Sequence, residues 1–134
     1  MSHAHIPDQR AIIDRRKLAS AIEALVGEHG DKSRTHVVAA LKEALGAGRA
    51  EMERRLEARP SAGHAVAGGY SFLVDQLVRV IHEYVTQHVY PAANRSSGER
   101  LAVMAVGGYG RSEMAPHSDV DIAFLVGERR ILAR

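Results

Sequence analysis

Apolar positions recur at helical spacing through the first two thirds of the chain and then give way to short unbroken runs. Pro7 and Asp8 have the character of a helix start, and Ile12, Ala19, Ile22 and Val26 follow on one face before Gly27 and Gly30. Ser33 stands where it would cap a second helix, whose stripe is Val38, Leu41, Leu45, Met52 and Leu56. Gly46 and Gly48 each weaken a helix interior by about 1 kcal/mol relative to Ala, so a kink or break is expected there. Pro60, Ser61 and Gly63 mark its end. The third pattern is the clearest: Leu73, Leu77, Val80, Ile81, Tyr84 and Val85 form a stripe, with Asp75, Arg79 and Glu83 opposite. It predicts a helix from near Ala65 or Ser71 to about Tyr90, where Pro91 stops it.

The texture then changes. Residues 92–100, AANRSSGER, have the composition of a surface loop. LAVMAV, residues 101–106, predicts a buried strand. GGYGRSEMAPHS reads as a turn or a turn plus a short helix, and DVDIAFLV, residues 119–126, as a second strand buried towards its end. The pattern divides the chain into a helical region, residues 1–95, and the start of a sheet-containing unit, residues 96–134, for an α+β fold. Two strands do not make an independently stable sheet. The expectation is therefore an incomplete domain in a chain that has been cut short, with unpaired strand edges that promote self-association.

Composition narrows the classes. The chain has 134 residues, 46% hydrophobic and 25% charged, within the ordinary range for a globular protein. No apolar run reaches the length of a transmembrane helix and no secretory-signal layout opens the chain, so a cytoplasmic protein without membrane contact is expected. The lack of cysteine removes disulfides, thiolate catalysis and Cys-type zinc sites. The net charge is +2, and the 15 arginines are interleaved with Glu, as in EMERRLEARP, which predicts solvated helix faces and no nucleic-acid partner. The eight histidines form no ligand pair.

The candidate chemistry sits in VMAVGGYGRSEMAPHSDVDIAF, residues 103–124. On a strand, Asp119 and Asp121 would point to one face about 6.5 Å apart. Two such carboxylates repel one another and favour a cation between them, as in the two-Mg²⁺ sites of phosphoryl and nucleotidyl transfer. Gly107 and Gly108 let the backbone approach a phosphate closely. Arg111 is suited equally to a phosphate and to a salt bridge with Glu113. Ser118 is suited to capping the turn or to hydrogen-bonding a triphosphate, and Tyr109 to packing. A P-loop is excluded, because there is no G-x-x-x-x-G-K-[ST]. A Rossmann site is not expected either: Glu113 occupies the third glycine position of the G-x-G-x-x-G pattern begun at Gly108.

VGGYGRSEMAPHSDVDIAF resembles the nucleotidyltransferase signature of the bacterial PII-protein uridylyltransferases, the bifunctional uridylyltransferase/uridylyl-removing enzymes of nitrogen regulation. The order Gly-Gly-Tyr-Gly-Arg, Glu, Pro, Ser-Asp-hydrophobic-Asp is that of the family, and the likeness extends over about residues 30–126. It implies a polymerase-β-like nucleotidyltransferase domain, incomplete here. It further implies Mg²⁺ on Asp119 and Asp121, UTP held by the Gly107–Gly108 turn, and a tyrosine of the PII protein as acceptor. Glutamine is an effector only of the full-length family. The hydrolase and glutamine-sensing domains, and the third carboxylate of a later strand, have no counterpart here. A fragment with weak transfer and no uridylyl removal is thus expected. The alternatives are another nucleotidyltransferase, such as an adenylyltransferase, or a non-catalytic helical interaction module.

Overall fold

The computed structural model describes residues 6–91 and 101–126. The expected loop at 92–100 and the boundary between residues 95 and 96 lie outside the described residues.

The first expected helix is two. Helix α1 spans Gln9–Ile12 and α2 spans Arg15–His29. Ile13 between them is extended (φ −159°) and buried, so the chain turns there, and the Asp14 carboxylate accepts from the Lys17 N–H at 3.1 Å to cap α2. Helix α3, Arg34–Ala58, is continuous. Ser33 precedes it without capping it; its hydroxyl instead lies 3.3 Å from the Tyr84 hydroxyl, so a buried hydrogen bond across the bundle replaces the cap. Helix α4 runs Gly63–Tyr84 and passes into a π-helical turn, Val85–Val89, which ends just before Pro91.

The expected break in α3 is absent, because one of its two glycines serves packing. A Cβ on Gly48 would run into the Leu73 side chain of α4 and sit 3.1 Å from the Ile12 carbonyl oxygen. The fit is reciprocal: a Cβ on Gly69 of α4 would run into Met52 of α3. Leu73 and Met52 are both fully buried, so each helix sinks a large side chain into the other's glycine. Gly46 has nothing within reach of a Cβ. One apolar cluster gathers Ile12, Met52, Leu73, Leu77, Tyr109 and Met114; a second, nearer the far end of α4, gathers Ile22, Val37, Val80 and Tyr84. No helix among the described residues is long and apolar enough to cross a membrane.

Strands β1, Leu101–Ala105, and β2, Ile122–Val126, pair antiparallel in a register that sets Val103 against Phe124 and Ala105 against Ile122. With the helices they give the α+β character expected. The burial expected of the strands is not found: Met104 is 46% exposed, Phe124 60% and Leu125 53%. Among the described residues the ribbon has no third strand, and Ala105 is its contact with the main core. β2 also begins later than expected, which leaves Asp119 and Asp121 ahead of the strand.

The two glycines of α3 should respond oppositely to alanine. Gly46→Ala is expected to gain up to about 1 kcal/mol of helix propensity. Gly48→Ala should lose roughly 1–3 kcal/mol by overpacking against Leu73. Thermal unfolding followed by circular dichroism checks both signs.

Candidate nucleotide-binding loop

The segment between the strands is fixed at three points. Helix α4 presents Ser71 and Asp75 one turn apart, on the side that meets the loop. Ser71 is fully buried; its hydroxyl donates to the Ala67 carbonyl at 3.2 Å and accepts from the Met114 N–H at 3.3 Å. Tyr109, only 3% exposed, donates its hydroxyl to Asp75 Oδ1 at 3.4 Å. Burial, and then the neighbouring Asp75 carboxylate, push the Tyr109 phenol well above its usual pKa. The third point is the strand pair itself, which extends one step beyond β2 through a bond from the Val106 N–H to the Asp121 carbonyl at 3.0 Å.

That last bond brings Asp121 to the glycine turn. Gly107 opens a four-residue helix, α5 (Gly107–Gly110), with φ +61°, a conformation that side chains rarely adopt. A Cβ there would lie 2.8 Å from Asp121 Oδ2, so the glycine vacates the space the carboxylate uses. Gly110 is equally constrained, since its Cβ would meet the Ala105 carbonyl oxygen at 2.7 Å. The Glu113 N–H returns to the Gly108 carbonyl at 2.9 Å and closes the turn.

The remaining site candidates are placed less tightly. Asp119 lies exposed in the irregular stretch before β2, so the same-face strand argument does not hold for the pair. Arg111 is exposed and pairs with Glu113 at 3.4 Å, while its Nη2 comes 3.9 Å from where a Gly108 Cβ would be. The Ser118 N–H closes a turn onto the Ala115 carbonyl at 3.1 Å. His117, in the left-handed region at φ +61°, is exposed. Among the described residues no three His, Cys, Asp or Glu side chains gather as a metal-binding group.

Sequence reading missed the positioning role of Asp75. The apolar stripe puts it on the opposite side of the third helix, yet it is half-buried beneath Tyr109. A signal was present: Ser71 and Asp75 are four apart in an otherwise apolar helical segment, and polar groups at that spacing share a face.

The chain aligns along nearly its whole length with bacterial enzymes of one name. The bifunctional uridylyltransferase/uridylyl-removing enzyme of Erythrobacter litoralis is 62% identical over 130 residues, which is 97% of this chain and 14% of that protein. The chain is a homologue of one stretch of this enzyme family. The family member from Novosphingobium aromaticivorans is 66% identical over 120 residues, 90% of the chain and 13% of its own length. That from Rhodospirillum rubrum is 46% identical over 128 residues, 94% of the chain and 14% of its own length. The chain thus spans about one-seventh of the curated family members it matches. No protein-family model matches the chain, and no solved structure does.

Two outcomes test the anchoring of the loop. Ser71→Ala should leave the Met114 N–H without its partner and speed amide exchange across residues 107–118, with the amides of α3 unchanged. The raised Tyr109 pKa means that the folded state holds the phenolic proton more tightly than the unfolded chain does. Its stabilising contribution is complete below the unfolded value of about 10 and is lost as pH rises beyond it. Tyr109→Phe should therefore flatten the alkaline fall in stability, measured by denaturant unfolding between about pH 8 and 11.

Proposed function

We propose that this chain carries part of a nucleotidyl-transfer site of the uridylyltransferase type: the turn that holds the nucleotide's phosphates and two of the carboxylates that work beside it. The observation that carries the reading is the seating of the Asp121 carboxylate against Gly107. A backbone without a side chain and a carboxylate oxygen lie side by side, an arrangement suited to a metal-bridged polyphosphate. The identity to the named enzymes supports uridylyl transfer; UTP as donor and a tyrosine hydroxyl of the PII protein as acceptor are what the resemblance of the signature to that family implies.

The residues fit Mg²⁺. Asp119 and Asp121 are exposed and offer hard oxygen donors, and Mg²⁺ is commonly held by one or two carboxylates with phosphate and water completing its shell. When bound there, the ion supplies charge stabilisation to the phosphates. Gly107 and Gly108 give the phosphates a close approach to the backbone. Arg111, held near Gly108 and only weakly by Glu113, is free to turn its guanidinium to a phosphate oxygen. Ser118 shapes the turn ahead of Asp119. In this reading the residues from 96 onward belong to a polymerase-β-like nucleotidyltransferase domain, completed in the longer family members by further strands and a third carboxylate. Transfer by this chain alone is then weak or absent.

Thermal unfolding with Mg²⁺ and UTP tests the reading. A ligand that binds only the folded state raises the melting temperature by mass action. A rise that needs both Mg²⁺ and UTP, and that is lost in Asp119→Asn/Asp121→Asn, is expected; a smaller rise with ATP would assign the base preference to uracil. A cooperative melt unmoved by Mg²⁺–UTP would contradict the proposal.

A further inference from the structure

A cavity borders the residues that follow the glycine turn. It is bounded by the segment Ile6–Asp8, the second half of α3, the first turns of α4 and the residues that follow α5, and encloses about 670 Å³. Small-molecule sites commonly fall between roughly 300 and 1,000 Å³ with a largely apolar lining. Its lining includes the buried side chains of Met52 and Val66, together with Ile6. Four arginines (54, 55, 59 and 111) line it against two carboxylates, Asp8 and Glu113.

The arginines differ in what holds them. Arg54 and Arg55 share Glu51, and Arg55 also donates to the Pro7 and Asp8 carbonyls at 2.7 and 2.9 Å, so this pair builds the wall. Arg59 and His64 make no ion pair or side-chain hydrogen bond among the described residues. Among the described residues, Arg111 has only its exposed 3.4 Å contact with Glu113. An apolar lining with under-used cationic groups beside it is complementary to one kind of occupant.

We propose that this cavity binds a small organic anion, an apolar body bearing one carboxylate or phosphate, with the body against Met52 and Val66 and the charge on Arg59 and Arg111. Arginine suits either head group, because its planar fork matches both. Occupancy is coupled to the glycine turn. An anion that draws Arg111 from Glu113 acts on the residue whose N–H holds the Gly108 carbonyl at 2.9 Å. The site is then a regulatory one for the loop, although binding itself does not rest on the nucleotide reading.

The test is a titration of the ¹⁵N-labelled full chain with 2-naphthoate and, separately, 1-naphthyl phosphate, followed by amide shifts. Saturable shifts at Val66, Gly68 and Ser112, extending to Gly108, are expected. Arg59→Ala/Arg111→Ala should weaken binding about tenfold or more, since each lost charge-assisted hydrogen bond approaches a decade in affinity. Tighter binding of one probe assigns the head group. If the double variant loses its helical circular dichroism, Arg59→Gln alone, at an exposed position, reads the same effect. Asp119→Asn/Asp121→Asn should bind the probes as the parent does, so failure of the nucleotide reading is distinguishable from failure here. Shifts confined to the exposed strands, or affinity unchanged in the arginine variants, would overturn the proposal.

Discussion

The reciprocal fit of Leu73 into Gly48 and of Met52 into Gly69 is the contact on which the rest is built. It brings α3 and α4 closer than two helices with ordinary side chains at those positions could come, and it fixes α4 in rotation as well as distance. Once Leu73 faces α3, Ser71 and Asp75 are committed to another side of α4, where the loop lies. The hydrogen bonds to Met114 and Tyr109 then hold that loop, and the bond from Val106 to Asp121 brings a carboxylate to the glycine turn. The chain of cause runs from two missing side chains in the helices to the placement of a third glycine, Gly107.

The loop is arranged in advance, while the surface around it is left open. Tyr109 and Met114 are buried and tethered to a rigid helix, so the turn has little freedom to lose on meeting a ligand. The strands that flank it carry Phe124 and Leu125 into solvent on opposite faces of the ribbon. A two-stranded ribbon with apolar residues on both faces gains stability only when something covers it. The relatives this chain matches are about seven times its length, and it spans 13–14% of the three named.

Much of this was legible in the residues. The stripe from Leu73 to Val85 specified α4 because apolar spacing alone sets the buried face of a strongly amphipathic helix. The Gly-Gly-Tyr-Gly-Arg run and the Ser-Asp-Val-Asp run marked the segment between the strands, and their order carried the resemblance to the enzymes with which the chain aligns. Other features depended on contacts distant in sequence. Gly48 weakens a helix by propensity, and only Leu73, 25 residues on, turns that weakness into an interlock. Ser33 has the identity of a cap, but Tyr84 claims its hydroxyl. Asp119 and Asp121 fit a strand pattern, yet the ladder begins at Ile122, because Asp121 contributes only its carbonyl to the bond with Val106. Strand burial differs from expectation for a related reason: apolar composition alone does not show whether another element packs against a segment, and Met104, Phe124 and Leu125 are exposed.

The central claim is that the glycine turn and the aspartates ahead of β2 act on one ligand. Mn²⁺ in place of Mg²⁺ tests it directly, because its unpaired electrons broaden amide signals near the bound ion. With UTP present, low Mn²⁺ should broaden residues 106–108 and 119–121 together and leave α2 and the far half of α3 sharp. Broadening at 119–121 without the turn, or spread evenly over exposed carboxylates along the chain, would contradict the account.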